Sequence, residues 1–395
     1  MPENFIGVYL NHTNIYESPL SFWKWSAYST ISTVLKDRCY IKSGDSYLFS
    51  NLYILFIADS SGHRKNRPVE FSQSVTSGLN GLKAIGGRTS VEAILDELSH
   101  TETDTLTGKV VKSSSATFFA PELSAGIVND VQGLRILTDI YDYKVNTYKS
   151  RLRTGPCFNL ERIVFSILGA SNMAMLDGVF DHSIINGGFI ARTMIITPKD
   201  NEFREPNSLL RLDHDALKIS KENVVSHLRK VSQLYGEFKF EAAAIDEYES
   251  WYNPFRKEYR NKKDNTGIIG RIHTHVLKLA MILAANELTL CIQKRHIEQS
   301  IEECLGLMPN YNTLTMNNAK TEIGAVGGLV ITELFSAKDY KLTRKDIVRT
   351  HWQNIDLDLL DKAISSLEEA GMIRVHQSKE GQAFELTPYC LQIMK

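Results

Sequence analysis

Apolar runs of strand length alternate with helix-patterned segments through the first half of this chain, and that alternation limits the fold more than any other feature. "NLYILFIA", "SATFFA", "VFSILGAS" and "TMIIT" are short apolar runs, each followed by polar or acid-bearing sequence. None approaches membrane-spanning length, and all suit buried strands. Between them, residues 67–83 carry helical spacing with Pro68 in what would be the first turn, and "TSVEAILDELSH" carries an N-cap signature at Ser90. Strands alternating with helices imply an α/β domain with a largely parallel sheet.

At 395 residues the chain exceeds one ordinary core, so two or three domains are expected. Residues 1–44 form an N-terminal helical segment, with helical spacing over 20–36 before a strand, "RCYIK". The α/β core covers 45–207 and closes on the polar, proline-bearing "TPKDNEFREPN". Residues 208–315 read as a helical domain centred on "HTHVLKLAMILAANEL", whose apolar face is too broad for a surface helix. In 320–395, helical stretches flank "LTRKDIVRTHW". Gly371 then leads into "MIRVHQ", the turn "SKEG" and "QAFELTP". Three helices and a β-hairpin describe a winged-helix module.

Composition narrows the function classes. A net charge of −1 excludes a wholesale polyanion binder, so any nucleic-acid surface is a local patch. Five scattered cysteines with no C-x-x-C pair argue against a zinc ribbon and fit a reducing cytosol. The first residues lack the basic start and apolar core of a signal peptide, so a soluble cytoplasmic protein is expected.

"FIADSSGHRKN" follows the first buried run and has the outline of a phosphate loop. Ser60, Ser61 and Gly62 can turn the chain, Lys65 can charge-pair with outer phosphates, and a helix N-terminus follows. The match is partial: Ala58 stands at the first glycine of a G-x-x-x-x-G-K-[ST] motif and Asn66 at its hydroxyl. Three later strand ends carry polar residues in order. Glu122 either holds Mg²⁺ and polarises water or caps the next helix. Asn172, beside Ser171, either orients water at the γ-phosphate or makes a turn. Arg192 either reaches a phosphate, in its own subunit or a neighbour's, or sits on the surface.

The succession "NLYILFIADSSGHRK", "FFAPELSAGI", "RLRTGP", "SILGASN", "GGFIARTMII" and "HVLKLAMILAAN" resembles a family of P-loop proteins from phages and mobile elements. These are primase–helicase-associated ATPases related to RecA-type and AAA+ replicative helicases. The resemblance spans roughly residues 45–300. It implies a RecA/AAA+-like P-loop NTPase core bearing a helical domain and a C-terminal winged helix, ATP and Mg²⁺ as cofactors, and a ring-forming, hexameric assembly. On the family pattern Gly62 and Lys65 match the phosphate loop, Glu122 the catalytic acid, Asn172 the sensor and Arg192 the trailing arginine. Asn66 and Pro121 depart from it, at the metal-binding hydroxyl and at the first acid of a "DE" pair. A carboxamide can ligate Mg²⁺ through oxygen; proline cannot. Binding of nucleotide is therefore expected over fast turnover.

Basic residues with interleaved aromatics either contact nucleic acid, single-stranded DNA in particular, or form a solvated helix end or loop. "NPFRKEYRNKKDN" carries Arg256, Lys257, Arg260, Lys262 and Lys263, and "YKSRLRTG" carries Arg153. Arg344, Lys345 and Lys379 belong to the winged module. That module can equally dock protein, since "DLDLLDKAISSLEE" would repel phosphate. His273 and His275, two residues apart, share no helical face for a metal. The expected function is an ATP-binding helicase-like or DNA-translocating subunit of mobile-element replication. The alternatives are a hydrolysis-deficient structural or loader subunit and a winged-helix DNA-binding regulator.

Overall fold

The computed structural model describes residues 4–58, 62–79, 82–87, 89–100, 102–103, 110–111, 114–123, 127, 130–142, 148–150, 158–172, 188–198, 202, 212–260, 264, 266–311, 322–353, 355–378 and 381–394. They belong to two compact units, Met1–Leu307 and Met308–Lys395. No helix among them is long and apolar enough to cross a membrane.

The first unit runs α1 (Phe5–Thr13), α2 (Leu20–Leu35), β1 (Cys39–Ser43), β2 (Ser46–Phe49), β3 (Tyr53–Ile57), α3 (Asn66–Thr76), β4 (Ala84–Gly86), α4 (Val91–Ser99) and β5 (Ser114–Ala120). It continues with α5 (Val131–Tyr141), β6 (Ile163–Ser171), β7 (Thr193–Ile196), α6 (His214–Ser232), β8 (Gly236–Glu237), α7 (Ala242–Tyr259), α8 (Ile272–Asn286) and α9 (Lys294–Leu305). Five strands form one sheet in the order β7-β3-β6-β5-β4, and every neighbouring pair is parallel. The α/β class with a parallel sheet is thus as the sequence implies. β3, β5, β6 and β7 are buried along their whole lengths, which is why they read as continuous apolar runs rather than alternating ones. Ser90 caps α4 as expected, accepting from the Ala93 amide at 3.3 Å.

Helix α2 lies against this sheet rather than apart from it. Its Ser26, Ser29, Thr30, Ser32 and Thr33 are buried along with its apolar residues. Thr30 and Thr33 donate back to the carbonyls of Ser26 and Ser29, 2.7 and 2.9 Å away. Across to the sheet, Ser32 donates to the Ser50 carbonyl at 2.7 Å, and the Thr33 and Thr117 hydroxyls meet at 3.0 Å. Small hydroxyls let the helix approach closely while every buried oxygen named here keeps a partner. Helix α8 is the buried central helix its sequence announces. The expected domain boundary at 197–207 falls mostly outside the described residues, and α6 beyond it packs on α1 and α2 within the same unit.

The second unit contains α10 (Glu322–Ser336), β9 (Lys341–Thr343), α11 (Arg344–His351), α12 (Leu357–Glu369), β10 (Ile373–Ser378), β11 (Gly381–Leu386) and α13 (Pro388–Met394). Its antiparallel sheet has the order β9-β11-β10, and Val330, Leu334, Ile347, Leu360 and Phe384 centre its core. A capping box between Thr343 and Asp346 starts α11. Gly371 at φ +70° follows the end of α12, a conformation favouring glycine. Helix α13 has no counterpart in the sequence reading, because seven residues behind Pro388 show too little periodicity to announce a helix.

Candidate functional site

The strand order sets where a ligand can sit. β3 and β6 are neighbours, yet the chain leaves β3 for β4 at one edge of the sheet and leaves β6 for β7 at the other. Ligands of open α/β sheets occupy the crevice that such a reversal opens beyond the strands' carboxyl ends. A cavity of about 560 Å³ lies there. Arg64, Lys65, Asn66, Arg67 and Glu70 line it from the turn after β3 and the start of α3. Glu122 and Leu123 come from beyond β5, and Ala170, Ser171 and Asn172 from the end of β6.

Four residues singled out in the sequence are therefore brought together: Lys65, Asn66, Glu122 and Asn172. The first turn of α3 contains no acidic residue, and no side chain caps the helix, whose N-cap position is Lys65. The positive pole of an eleven-residue helix and a lysine ammonium thus reach one cavity, an arrangement suited to an anion. Arg64 holds the turn. Its backbone takes φ +45°, and its carbonyl accepts from the Ser18 hydroxyl at 3.0 Å and the Arg67 amide at 3.1 Å. Gly62 is exposed, lies outside the left-handed region, and a Cβ there would meet nothing within 4 Å. Ser60 and Ser61 fall outside the described residues.

Ser171 matters more than its place in the sequence suggests. It is 5% exposed, lines the cavity, and its Oγ has no hydrogen-bond partner among the described residues. An unsatisfied buried hydroxyl is unfavourable, so this oxygen is ready for a ligand atom. Ser171 pairs with Ile57, the last residue of β3, which puts it at the mouth of the crevice, and this register is visible only in the structure. Asn66 Nδ2 stands 3.5 Å from Glu122 Oε1. Among the described residues no group of three His, Cys, Asp or Glu side chains could hold a metal. The oxygens of Asn66 and Glu122 can contribute to Mg²⁺ only alongside oxygens of the ligand itself.

Arg192 is not part of this cavity. It closes the 3₁₀ turn Ile190–Arg192 at the amino end of β7, whereas the cavity is at the carboxyl ends. Its Nη2 and Nε reach Asp142 Oδ2 at 2.7 and 3.2 Å, and Nη1 donates to the Gly188 carbonyl at 2.9 Å. Arg271 Nη1 lies 2.9 Å from both Asp142 oxygens. Burial works to raise the Asp142 carboxyl, but the two guanidinium groups outweigh it and hold the group below its ordinary value.

The basic residues are dispersed. Arg256, Lys257 and Arg260 are exposed around the end of α7. Beside them Phe255 packs at a tilt against Trp251 and Tyr259, with centroids 5.3 and 4.5 Å apart. Arg344 is paired with Asp361 at 2.8 Å, and Lys345 is exposed. Arg153, Lys262, Lys263 and Lys379 lie outside the described residues. No protein-family model matches the sequence, and no curated protein matches it.

Proposed function

We propose that the crevice between β3 and β6 binds a nucleoside triphosphate with Mg²⁺, and that the protein is a nucleotide-dependent, helicase-like subunit acting on DNA. One observation carries the reading: a helix N-terminus, Lys65, Asn66, Glu122 and the unpartnered Ser171 hydroxyl converge on one cavity at the sheet's topological switch point. Lys65 and the amino end of α3 hold phosphate, Ser171 and Asn172 meet the terminal phosphate or its water, and Asn66 and Glu122 lie beside the metal. Mg²⁺ supplies charge neutralisation between phosphates when bound. The family resemblance of the sequence supports the RecA/AAA+-like P-loop assignment, a hexameric ring and a winged-helix reading of the second unit.

Turnover is slow in this reading. Asn66 and Pro121 stand where a metal-binding hydroxyl and a first acid belong in the family the sequence resembles, and Arg192 is engaged by Asp142 in its own subunit. DNA is contacted by the exposed Arg256, Lys257 and Arg260 rather than by the second unit, whose Arg344 faces Asp361. The non-hydrolysing loader is the second reading, favoured by the same two departures. Calorimetric titration of ATP–Mg²⁺ into the full chain, beside Lys65→Ala, tests binding. A loss of about 10- to 100-fold in affinity is expected for the variant. Absence of heat in the parent, or an affinity indifferent to Lys65, overturns the proposal. Turnover with and without single-stranded DNA then separates motor from loader.

A further inference from the structure

A second cavity, again about 560 Å³, lies at the opposite side of the same unit, where none of the nucleotide-site residues reaches it. Asn51, just before β3, and Asp142, just after α5, place it toward the amino ends of the strands. Its walls are apolar and aromatic: Tyr47 and Phe49 from the β1–β2 hairpin, Tyr248 from α7 and Leu277 from α8. Its floor is charged. Lys278 is 1% exposed in the middle of α8. Its Nζ donates to the carbonyl and the Oδ1 of Asn51, at 2.9 and 2.7 Å, and sits 3.8 Å over the centre of the Tyr141 ring.

The charges around this floor do not balance. Among the described residues lining the cavity Asp142 is the one acid, and of the two lysines there Lys278 is buried and Lys42 exposed. That single carboxylate already answers Arg192 and Arg271. Buried cations in excess of their counter-ions are unfavourable, and burial accordingly pushes the Lys278 ammonium well below its ordinary value. An anion brought in from solvent would correct the excess. A cavity of this size, with apolar walls and a few convergent polar groups of perturbed ionisation, has the attributes of a small-molecule site.

We propose that this cavity is a binding site for a small aromatic carboxylate. The ring lies against Tyr47, Phe49, Tyr248 and Leu277, and the carboxylate approaches Lys278 Nζ, whose ammonium form the added negative charge favours. The inference stands apart from the nucleotide reading, since the two cavities share no lining residue.

Three probes with one ring and three charges test it on the full chain: indole-3-acetate, indole-3-acetamide and tryptamine, titrated calorimetrically. Indole-3-acetate should bind about tenfold more tightly than the amide, and tryptamine least tightly. Lys278→Met should bring acetate and amide to the same affinity. Leu277→Trp, a half-buried wall position, should abolish binding of all three even where the Lys278 variant does not fold. Lys65→Ala should bind indole-3-acetate as the parent does, which separates this cavity from the other. No binding at millimolar concentration, an order indifferent to charge, or retention of binding in Leu277→Trp would each overturn the inference.

Discussion

The Asn66 carboxamide nitrogen faces the Glu122 carboxylate at 3.5 Å, at the outer limit of a hydrogen bond, across the mouth of the crevice between β3 and β6. The two groups belong to α3 and to the segment after β5, so the contact joins the helix that follows β3 to the carboxyl edge of the sheet. Asn66 stands where the family that the sequence resembles is expected to carry a metal-binding hydroxyl. Asn66→Thr should therefore increase the dependence of ATP affinity on Mg²⁺, by about tenfold between EDTA and saturating Mg²⁺ relative to the parent. Glu122→Gln in the same background should remove that gain. Equal Mg²⁺ dependence in parent and Asn66→Thr would show that no metal approaches this side chain.

Ser171 gives a prediction with opposite signs in two measurements. Its buried Oγ lacks a partner in the free protein. Ser171→Ala removes that unsatisfied group while leaving the backbone register with Ile57 intact, so the free protein should gain about 1 kcal/mol in denaturant unfolding. If the hydroxyl serves a bound phosphate, the same substitution should weaken ATP by about tenfold. A structural serine would change stability alone; loss in both measurements would mean that the hydroxyl is satisfied in the free protein.

These residues show which parts of the molecule can be read from one dimension. Buried parallel strands announce themselves because both faces of β3, β5 and β6 are covered, and a continuous apolar run is then the only workable sequence. The polar residues just beyond them follow from the strand ends, which is how Lys65, Asn66, Glu122 and Asn172 could be found. Strand order could not be found that way, because β3 pairs with β6 and β7, far along the chain. The preference for Asn172 over Ser171 has a similar cause: burial distinguishes them, and burial depends on α3 and β3 together. Helix α2 shows its apolar spacing in the sequence, but the role of its Ser and Thr residues does not show there. Their partners, Ser50, Ser166 and Thr117, are visible only once the sheet has formed.

Arg192 illustrates a reading that sequence proximity to a strand cannot settle. Its partner Asp142 is fifty positions earlier, and the pair lies at the amino end of β7. Arg192→Ala should destabilise the first unit by about 2–3 kcal/mol, because it leaves a largely buried carboxylate with Arg271 alone. ATP affinity should stay within about twofold of the parent. A large loss of nucleotide affinity without loss of stability would return Arg192 to the site.

His275 sets a pH limit on the same unit. It is buried in α8, its Nε2 donates to the Ala191 carbonyl at 3.0 Å, and Nδ1 has no partner. Burial lowers its pKa from 6.5 to about 4. The unfolded chain therefore takes up this proton before the folded one does. The neutral side chain contributes its full stability above pH 6.5 and loses it as pH falls toward 4, by about 3 kcal/mol in total. Burial lowers His12, His273 and His296 in the same direction, so the parent should weaken steeply across this window. Denaturant midpoints at pH 7 and pH 4.5 measure the slope. His275→Gln should be less stable than the parent at pH 7 and should show a shallower fall, and an unchanged slope in that variant would mean that the imidazole takes up its proton at the same pH in the folded and unfolded chain.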